Sequence, residues 1–412
     1  MSSSTTNIIA NSTVIHTRAI HSSITYNDAP IKNKKASYWL GTSILIRAND
    51  EPRARMGKFT TPWPNAQTHK FCKPPKLTFT SDKFKDLLDA RALEINNIAK
   101  RKNKKIIILW SGGIDSTCVL VAFLKNLNKE DLKNVSVGMN MLSIEENQTF
   151  FLNHILNKVN IIDFSTILIS NDFLKENILL HGDPGDGVNY PGTWAFNHLI
   201  AQGKHLNKFM DHLDDMAHGI NFSKEQKSWH YGSYVDKFYK NYLDEGFGPW
   251  YINKIKDNIL DCKVDDYITT VADFWWWHYF NIKWNHYTQA PLFNLRKDFK
   301  EALDPNEIEE YFSYTFYHSD AFQNWAWSNL KKLVREDTHK TLKLEARQYI
   351  FEYDKNQNYF DTKRKIPSPS LTEVKDRKPF IIFDENYVGY KNNDNNIPYI
   401  NILKILLEKY NG

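Results

Sequence analysis

The chain has 412 residues, a formal charge of +5, 42% hydrophobic and 25% charged residues, the balance of a globular protein long enough for two or three packed units. Without a run of about 18 apolar residues it should not span a membrane as a helix, and its charge argues no more for nucleic acid than for a local basic excess facing an anionic nucleotide. Cys72, Cys118 and Cys262 lie far apart and form no Cys-x-x-Cys pair, which excludes a zinc knuckle or disulfide framework and points to a reducing, cytoplasmic compartment. Met1 to Thr6 has no apolar signal core, and the abundance of Asn and Lys fits an AT-rich genome such as that of a virus acting in host cytoplasm. An aromatic share of 14% predicts large buried rings or a flat ligand.

Residues 1 to 79 read as an N-terminal extension, with a candidate strand at Tyr38–Ile46 and punctuation at Pro62, Pro64, Pro74 and Pro75. From Ser81 to Arg101, Phe84, Leu87, Leu88, Ala92, Leu93, Ile95 and Ile98 recur at helical steps. Ile106-Ile107-Ile108-Leu109-Trp110 is short, continuous and β-branched, which predicts a buried parallel strand. Gly112 and Gly113 break it, and Asp115-Ser116-Thr117 opens a helix running to about Leu127. A second strand at Val135–Met139, a helix carrying Phe150, Phe151, His154, Ile155 and Val159, and a third strand at Ile161–Ile169 follow. That alternation predicts an α/β domain over residues 80 to 200, a parallel sheet with helices on its faces. Residues 201 to 290 read as a helical insertion and 291 to 412 as a mainly helical C-terminal part. In the latter, Pro305 stands near a helix start, Phe380–Tyr390 reads as a hairpin and Ile402–Glu408 as a closing helix. Trp275-Trp276-Trp277 has the residue types to stack on a base, but such a cluster is more often core. His278 and His286 lack the spacing of metal ligands, and Cys118 reads as a small apolar filler.

The chemistry concentrates in Ser111-Gly112-Gly113-Ile114-Asp115-Ser116. A strand delivers the chain to the sheet top, glycines let backbone N–H groups approach an anion, and the following helix adds its positive end. Hydroxyls of Ser111 and Ser116 can donate to phosphate oxygens. Asp115 would repel bare phosphate, so its presence implies Mg²⁺ between them. The alternative is a strand-to-helix turn that binds nothing.

This segment resembles the PP-loop signature Ser-Gly-Gly-x-Asp-Ser of the N-type ATP pyrophosphatases, and is unlike the Walker loop, which needs Gly-x-x-x-x-Gly-Lys. Ser136-Val137-Gly138-Met139, followed by Ser143, Glu145 and Glu146, is similar to the second strand and acidic turn of asparagine synthetase-type domains. The resemblance implies a Rossmann-like, adenine nucleotide alpha hydrolase-like fold and cleavage of ATP between the α- and β-phosphates. It implies that the backbone at Trp110 and Val137 reads the adenine. His181-Gly182-Asp183-Pro184-Gly185-Asp186-Gly187 resembles the family's pyrophosphate loop, Ser-Gly-Glu-Gly-x-Asp-Glu, with His181, Pro184 and Gly187 as departures. On that match His181 and Gly182 border the pyrophosphate, Asp183 lies near the acyl-adenylate, and Asp186 joins Asp115 on Mg²⁺. A Gly/Pro/Asp surface turn is the plainer reading of the same residues.

Further on, Tyr317 to Phe322 resembles the family's Pro-Phe-x-Asp stretch and Lys343 to Ile350 its Lys-x-x-x-Arg helix. Lys363, with Lys365 as alternative, falls where the family carries a lysine close to the reacting acyl group; a solvated basic linker is the competing reading. Ser2 follows Met1 and no cysteine precedes Cys72, so the resemblance does not extend to an N-terminal glutaminase. The expected activity is adenylation of a small-molecule carboxylate by ATP and Mg²⁺, then transfer to ammonia or an amine, the ammonia arriving free or from a separate glutaminase partner. A nucleobase-modifying enzyme, with Cys262 as its sulfur carrier, and a nucleotide-binding scaffold without turnover are the alternatives. A nitrile-forming relative would need zinc cysteines that this chain lacks.

Overall fold

The computed structural model describes residues 77–139, 141–163, 167–182, 185–189, 199, 202–217, 247–261, 264–277, 304–333, 343–362, 380–383, 388–391 and 400–401. The chain divides into two compact units, one built from Phe84–Gly182, Tyr314–Phe316 and Leu344–Gly412, the other from Met1–Lys83, Asp183–Ser313 and Tyr317–Lys343.

In the first unit the elements run α1 (Phe84–Lys102), β1 (Lys105–Leu109), α2 (Ile114–Asn126), β2 (Val135–Met139), α3 (Met141–Glu146), β3 (Asn160–Asp163), α4 (Asn171–Glu176), β4 (Asn177–His181), α5 (Leu344–Asp354) and α6 (Gln357–Thr362). Strands β1 to β4 form one all-parallel sheet in the order β3-β2-β1-β4. Ile106, Ile107 and Ile108 of β1 are buried, and each pairs with β2 on one edge and β4 on the other. A strand covered on both faces and bonded on both edges has no place for a polar alternation, hence the unbroken isoleucines.

The helices follow from their apolar stripes. α1 buries Phe84, Leu88, Ala92, Ile95 and Ala99, one face at three- and four-residue steps. It stops where Asn103 turns left-handed at φ 52° and Lys104 N–H reaches back to Ala99 O at 2.9 Å. α2 is buried without interruption from Ser116 to Phe123, as befits a helix covered on several sides. Three helices meet at Asp89 of α1, which accepts from Lys125 Nζ and Asn126 Nδ2 of α2 at 2.6 Å each and from Tyr349 Oη of α5 at 2.5 Å. Burial alone would raise the Asp89 pKa, but these donors hold it below the ordinary carboxylate value. Cys118 Sγ lies 3.2 Å from Ala346 O, so this thiol fills the α2–α5 seam. Arg91, also buried on α1, donates to the carbonyls of Thr315 and Phe316 at 3.2 and 3.3 Å.

Several sequence expectations need correction. The third strand ends at Asp163 and does not reach Ile169. A fourth strand, Asn177–His181, went unrecognised because its Ile-Leu-Leu centre is short and runs straight into a turn-like Gly/Asp/Pro sequence. The helix expected around Phe150 to Val159 is broken: Gln148–Phe150 passes into a π-type turn at Phe151–Ile155, and Asn157 adopts φ 60°. In that wide turn His154 Nε2 sits 2.5 Å from Asp354 Oδ1, between the rings of Phe150 and Tyr353. The expected hairpin is present as β5 (Phe380–Phe383) and β6 (Val388–Lys391), antiparallel, with β7 (Ile400–Asn401) added to β6. The strand at Tyr38–Ile46 and the helix at Ile402–Glu408 fall outside the described residues.

In the second unit Pro305 opens the helix Pro305–Tyr314. Trp275, Trp276 and Trp277 are all buried, so the tryptophan run is core there. Asp273 fixes its helix by accepting from the N–H groups of Thr269 and Thr270 and, at 2.5 Å, from Trp327 Nε1. Among the described residues no helix is long and apolar enough to cross a membrane.

Replacing Asp89 with Ala removes the acceptor for three donors and should destabilise the protein by about 2–3 kcal/mol in urea unfolding. Because the folded pKa is depressed, the Asp89 contribution is complete above the unfolded value near 4 and disappears as pH falls through the folded one. An Asp89→Ala midpoint equal to wild type at pH 7 would contradict this.

Candidate functional site

The loop Trp110–Gly113 joins β1 to α2. Trp110 N–H donates to Gly138 O at 2.9 Å, carrying the ladder one residue past the strand, and its buried indole Nε1 donates to Thr117 Oγ1 at 3.0 Å. Its ring lies 6.0 Å from Phe150, so the side chain forms the loop's floor. Val137 is buried at the middle of β2, paired with Ile108 and Ile161.

Gly112 then takes φ 78°, and a Cβ there would meet Ser143 O at 2.4 Å. Only glycine satisfies both conditions. Gly113 is the N-cap of α2 and supplies no side-chain cap, which leaves the positive end of a 13-residue helix to be met by something else. Hydroxyls knit the turn: Ser111 Oγ and Ser116 Oγ lie 3.0 Å apart, Ser111 N–H donates to Ser116 Oγ at 3.1 Å, and Gly113 N–H donates to Ser111 Oγ at 3.3 Å. The same serines named from sequence thus hold the loop open in a fixed shape. Asp115, half-buried, stands in the first turn of α2 with its Oδ1 shielded from solvent.

β4 delivers a second backbone to this place. His181 pairs with Leu109, the last residue of β1, and a Cβ on Gly182 would meet Ser116 N at 2.4 Å and Ser116 Cα at 2.8 Å. The chain therefore leaves the sheet pressed against the first turn of α2, the same helix end that the glycine loop opens. His181 is buried, and desolvation lowers its pKa to about 4, which keeps the imidazole neutral near pH 7.

Beyond Gly182 the predicted pyrophosphate loop belongs to the other unit. Asp183 lies outside the described residues, as do Lys363, Lys365 and Cys262, and Asp186 falls in the short helix Gly185–Asn189 with its side chain likewise outside them. Lys343, buried, takes φ 50° just before α5, and Arg347 on α5 donates to Phe360 O at 2.6 Å.

Two residues that sequence reasoning gave no role also border the loop. Glu146, at the end of α3, runs beside the glycines: a Cβ on Gly112 would lie 2.9 Å from its Cβ, and one on Gly113 3.6 Å from its Oε1. Tyr359 of α6 is buried, with Thr117 of α2 among the groups that act on its hydroxyl. Burial drives its pKa well above the ordinary value; the Thr117 hydroxyl opposes that shift, while Cys118, Glu146 and Asp115 add to it. The acidic turn after β2 was a usable signal for Glu146. Nothing local marks Tyr359 among 21 tyrosines.

Among the described residues no group of three or more His, Cys, Asp or Glu forms a ready metal cage. The carboxylates of Asp115 and Glu146 with the serine hydroxyls are hard oxygen donors, the set that suits Mg²⁺ when phosphates complete its shell. On this donor chemistry the loop fits a magnesium–phosphate ligand.

Gly112→Ala and Gly182→Ala should each cost about 1–3 kcal/mol in urea unfolding, since backbone atoms block the added methyl. Gly113→Ala meets only side-chain atoms, Ser111 Oγ at 3.2 Å and Glu146 Oε1 at 3.6 Å, with an ordinary φ of −75° and should be nearly neutral; equal losses at the three positions would refute this account of the loop. For His181, the unfolded chain gains a proton below about pH 6.5 that the folded protein takes up only near pH 4. Its contribution is complete above that window and falls by on the order of 3 kcal/mol across it as pH drops. Acid unfolding of His181→Gln should lack this slope, and an unchanged profile would count against a buried neutral imidazole. No known protein family, no curated protein and no solved structure matches this chain.

Proposed function

We propose that the first unit is a Rossmann-like, adenine nucleotide alpha hydrolase-like domain that binds ATP at Ser111–Ser116 and cleaves it between the α- and β-phosphates. What supports this most is the loop itself: a left-handed Gly112 between a doubly paired strand and a helix end without a side-chain cap, knit by Ser111 and Ser116. Such an arrangement favours an anion of phosphate size.

The reaction we assign is ATP-dependent amide formation, similar to that of asparagine synthetases. A substrate carboxylate attacks the α-phosphate, pyrophosphate leaves, and ammonia or an amine then displaces AMP from the acyl-adenylate. In this reading the loop amides and the Ser111 and Ser116 hydroxyls hold the departing pyrophosphate, and His181 and Gly182 border it. The backbone at Trp110 and Val137 reads the adenine. Asp115 and Asp186 hold Mg²⁺, whose charge offsets that of the phosphates when bound. Asp183 lies near the acyl group, and Lys363 steadies the negative charge on its oxygens. Catalysis then comes from positioning and fixed charge. Such a reaction belongs in the cytoplasm, where ATP and ammonia or a glutaminase partner are at hand.

Calorimetric titration of Mg²⁺ and α,β-methylene ATP should show saturable binding to wild type, weakened at least about tenfold in Asp115→Ala. Lys363→Ala should bind normally yet release pyrophosphate slowly when carboxylates and amines are screened. A well-folded wild type that ignores the nucleotide at every Mg²⁺ concentration would sink the proposal.

A further inference from the structure

His154 and Asp354 lie 200 residues apart in sequence and meet within the first unit. The Asp354 side chain, at the end of α5, is 1% exposed. One of its oxygens lies 2.5 Å from His154 Nε2, and the other, Oδ2, is buried with no hydrogen-bond partner among the described residues. A carboxylate only accepts, so the imidazole nitrogen donates. Taking a carboxylate out of water for one such bond is a poor route to stability, since well-packed apolar side chains would serve as well. What the pair gains is a fixed ring. His154 stands between Phe150 and Tyr353, with ring centroids 4.8 and 4.9 Å away. Phe150 in turn lies 6.0 Å from Trp110, the floor of the glycine loop. A continuous line of rings therefore runs from the end of α5 to Trp110, whose indole Nε1 donates to Thr117 Oγ1 in the first turn of α2. The backbone at both ends of the line is shaped to it. The Asn147 side chain accepts from Phe150 N–H at 3.3 Å, and the π-type turn Phe151–Ile155 carries His154. Such turns recur at functional sites. Lys355 follows Asp354 at φ 57° with its N–H on Phe351 O at 2.9 Å, so α5 stops at the carboxylate.

We propose that His154 and Asp354 are positioning residues for the nucleotide loop, a role that rests on the ATP-binding reading above. The buried carboxylate locks the imidazole, the imidazole holds the Phe150 ring, and that ring holds Trp110 in place as the loop's floor. The pair acts on the nucleotide through these two side chains and not by contact. Loss of either partner should therefore loosen Trp110 and weaken nucleotide binding together.

The test makes two measurements on wild type, Asp354→Asn and His154→Gln. One is the Trp110 indole N–H resonance in indole-labelled protein, assigned by its absence in Trp110→Phe. The other is the affinity for α,β-methylene ATP with Mg²⁺ by calorimetry. Asp354→Asn keeps the shape and removes the charge. His154→Gln can still donate to Asp354 but has no ring to stack on Phe150, so it also serves should the asparagine variant fail to fold. In both, the Trp110 indole proton should exchange faster with solvent and the nucleotide should bind at least about fivefold more weakly. Asp89→Ala, which loosens the junction at the C-terminal end of α2, should keep both properties at the wild-type level. An unmoved Trp110 resonance in the folded variants overturns the role of the pair and leaves the ATP site standing. A shifted resonance with wild-type affinity does the same, as does equal weakening in Asp89→Ala, which would mark a general loss of stability. No binding to folded wild type overturns the ATP site, and the positioning role with it.

Discussion

β1 is hydrogen-bonded along both edges, to β2 and to β4, so its C-terminal end cannot shift without breaking two ladders at once. The position of Trp110 follows from that restraint, and its N–H extends the β2 ladder while its indole ties down α2 at Thr117. From there the chain has no freedom before α2 begins, and the left-handed turn at Gly112 is the way it reverses under the Ser143 carbonyl. β4 adds a second constraint, since Gly182 leaves it against Ser116. The loop's shape is thus set by the sheet before any ligand is considered, which is the preorganisation an anion site requires.

Charge around the loop is arranged by burial as much as by residue type. The His181 imidazole, at the end of β4, is kept neutral by desolvation, so it adds no positive charge beside the turn near pH 7. Three described lysines of this unit are engaged by other groups: Lys125 by Asp89, Lys100 by Asp131 and Lys104 by the Leu174 carbonyl. Backbone N–H groups and the end of α2 supply positive potential at the turn itself. Backbone dipoles do not titrate, so this attraction is the same at any pH that leaves the fold intact.

The sheet's first two strands, α1 and α2 were legible in the sequence because each is a continuous run with one period: four apolar residues from Ile106, a five-residue second strand, a 19-residue stripe on α1. The glycine turn was legible because its residue types have few other uses together. β4 was hidden, since Ile178-Leu179-Leu180 has no β-branched majority and a six-residue helix ends directly into it. The break at Asn147 and the wide turn at His154 were hidden too, because a 3.6-residue period describes the apolar positions equally well on either side of a π-type turn. Glu146 and Tyr359 show what local patterns leave out. One is an ordinary acid in an acidic turn, and the other sits more than 200 positions from the loop it borders.

The contact between Cys118 and Ala346 joins residues 228 apart, and Tyr349 reaches Asp89 across 260. α2, buried from Ser116 to Phe123 in the finished unit, has to wait for α5 to cover one side. At ribosomal speeds of about 5–20 residues per second, roughly 10–45 s separate the synthesis of the two. During that interval the β-sheet can assemble while an apolar flank of its principal helix stays open to water. Large sequence separation also slows the final docking by raising the loop-closure entropy. Until α5 is made, the face of α2 that it covers has no partner within the chain.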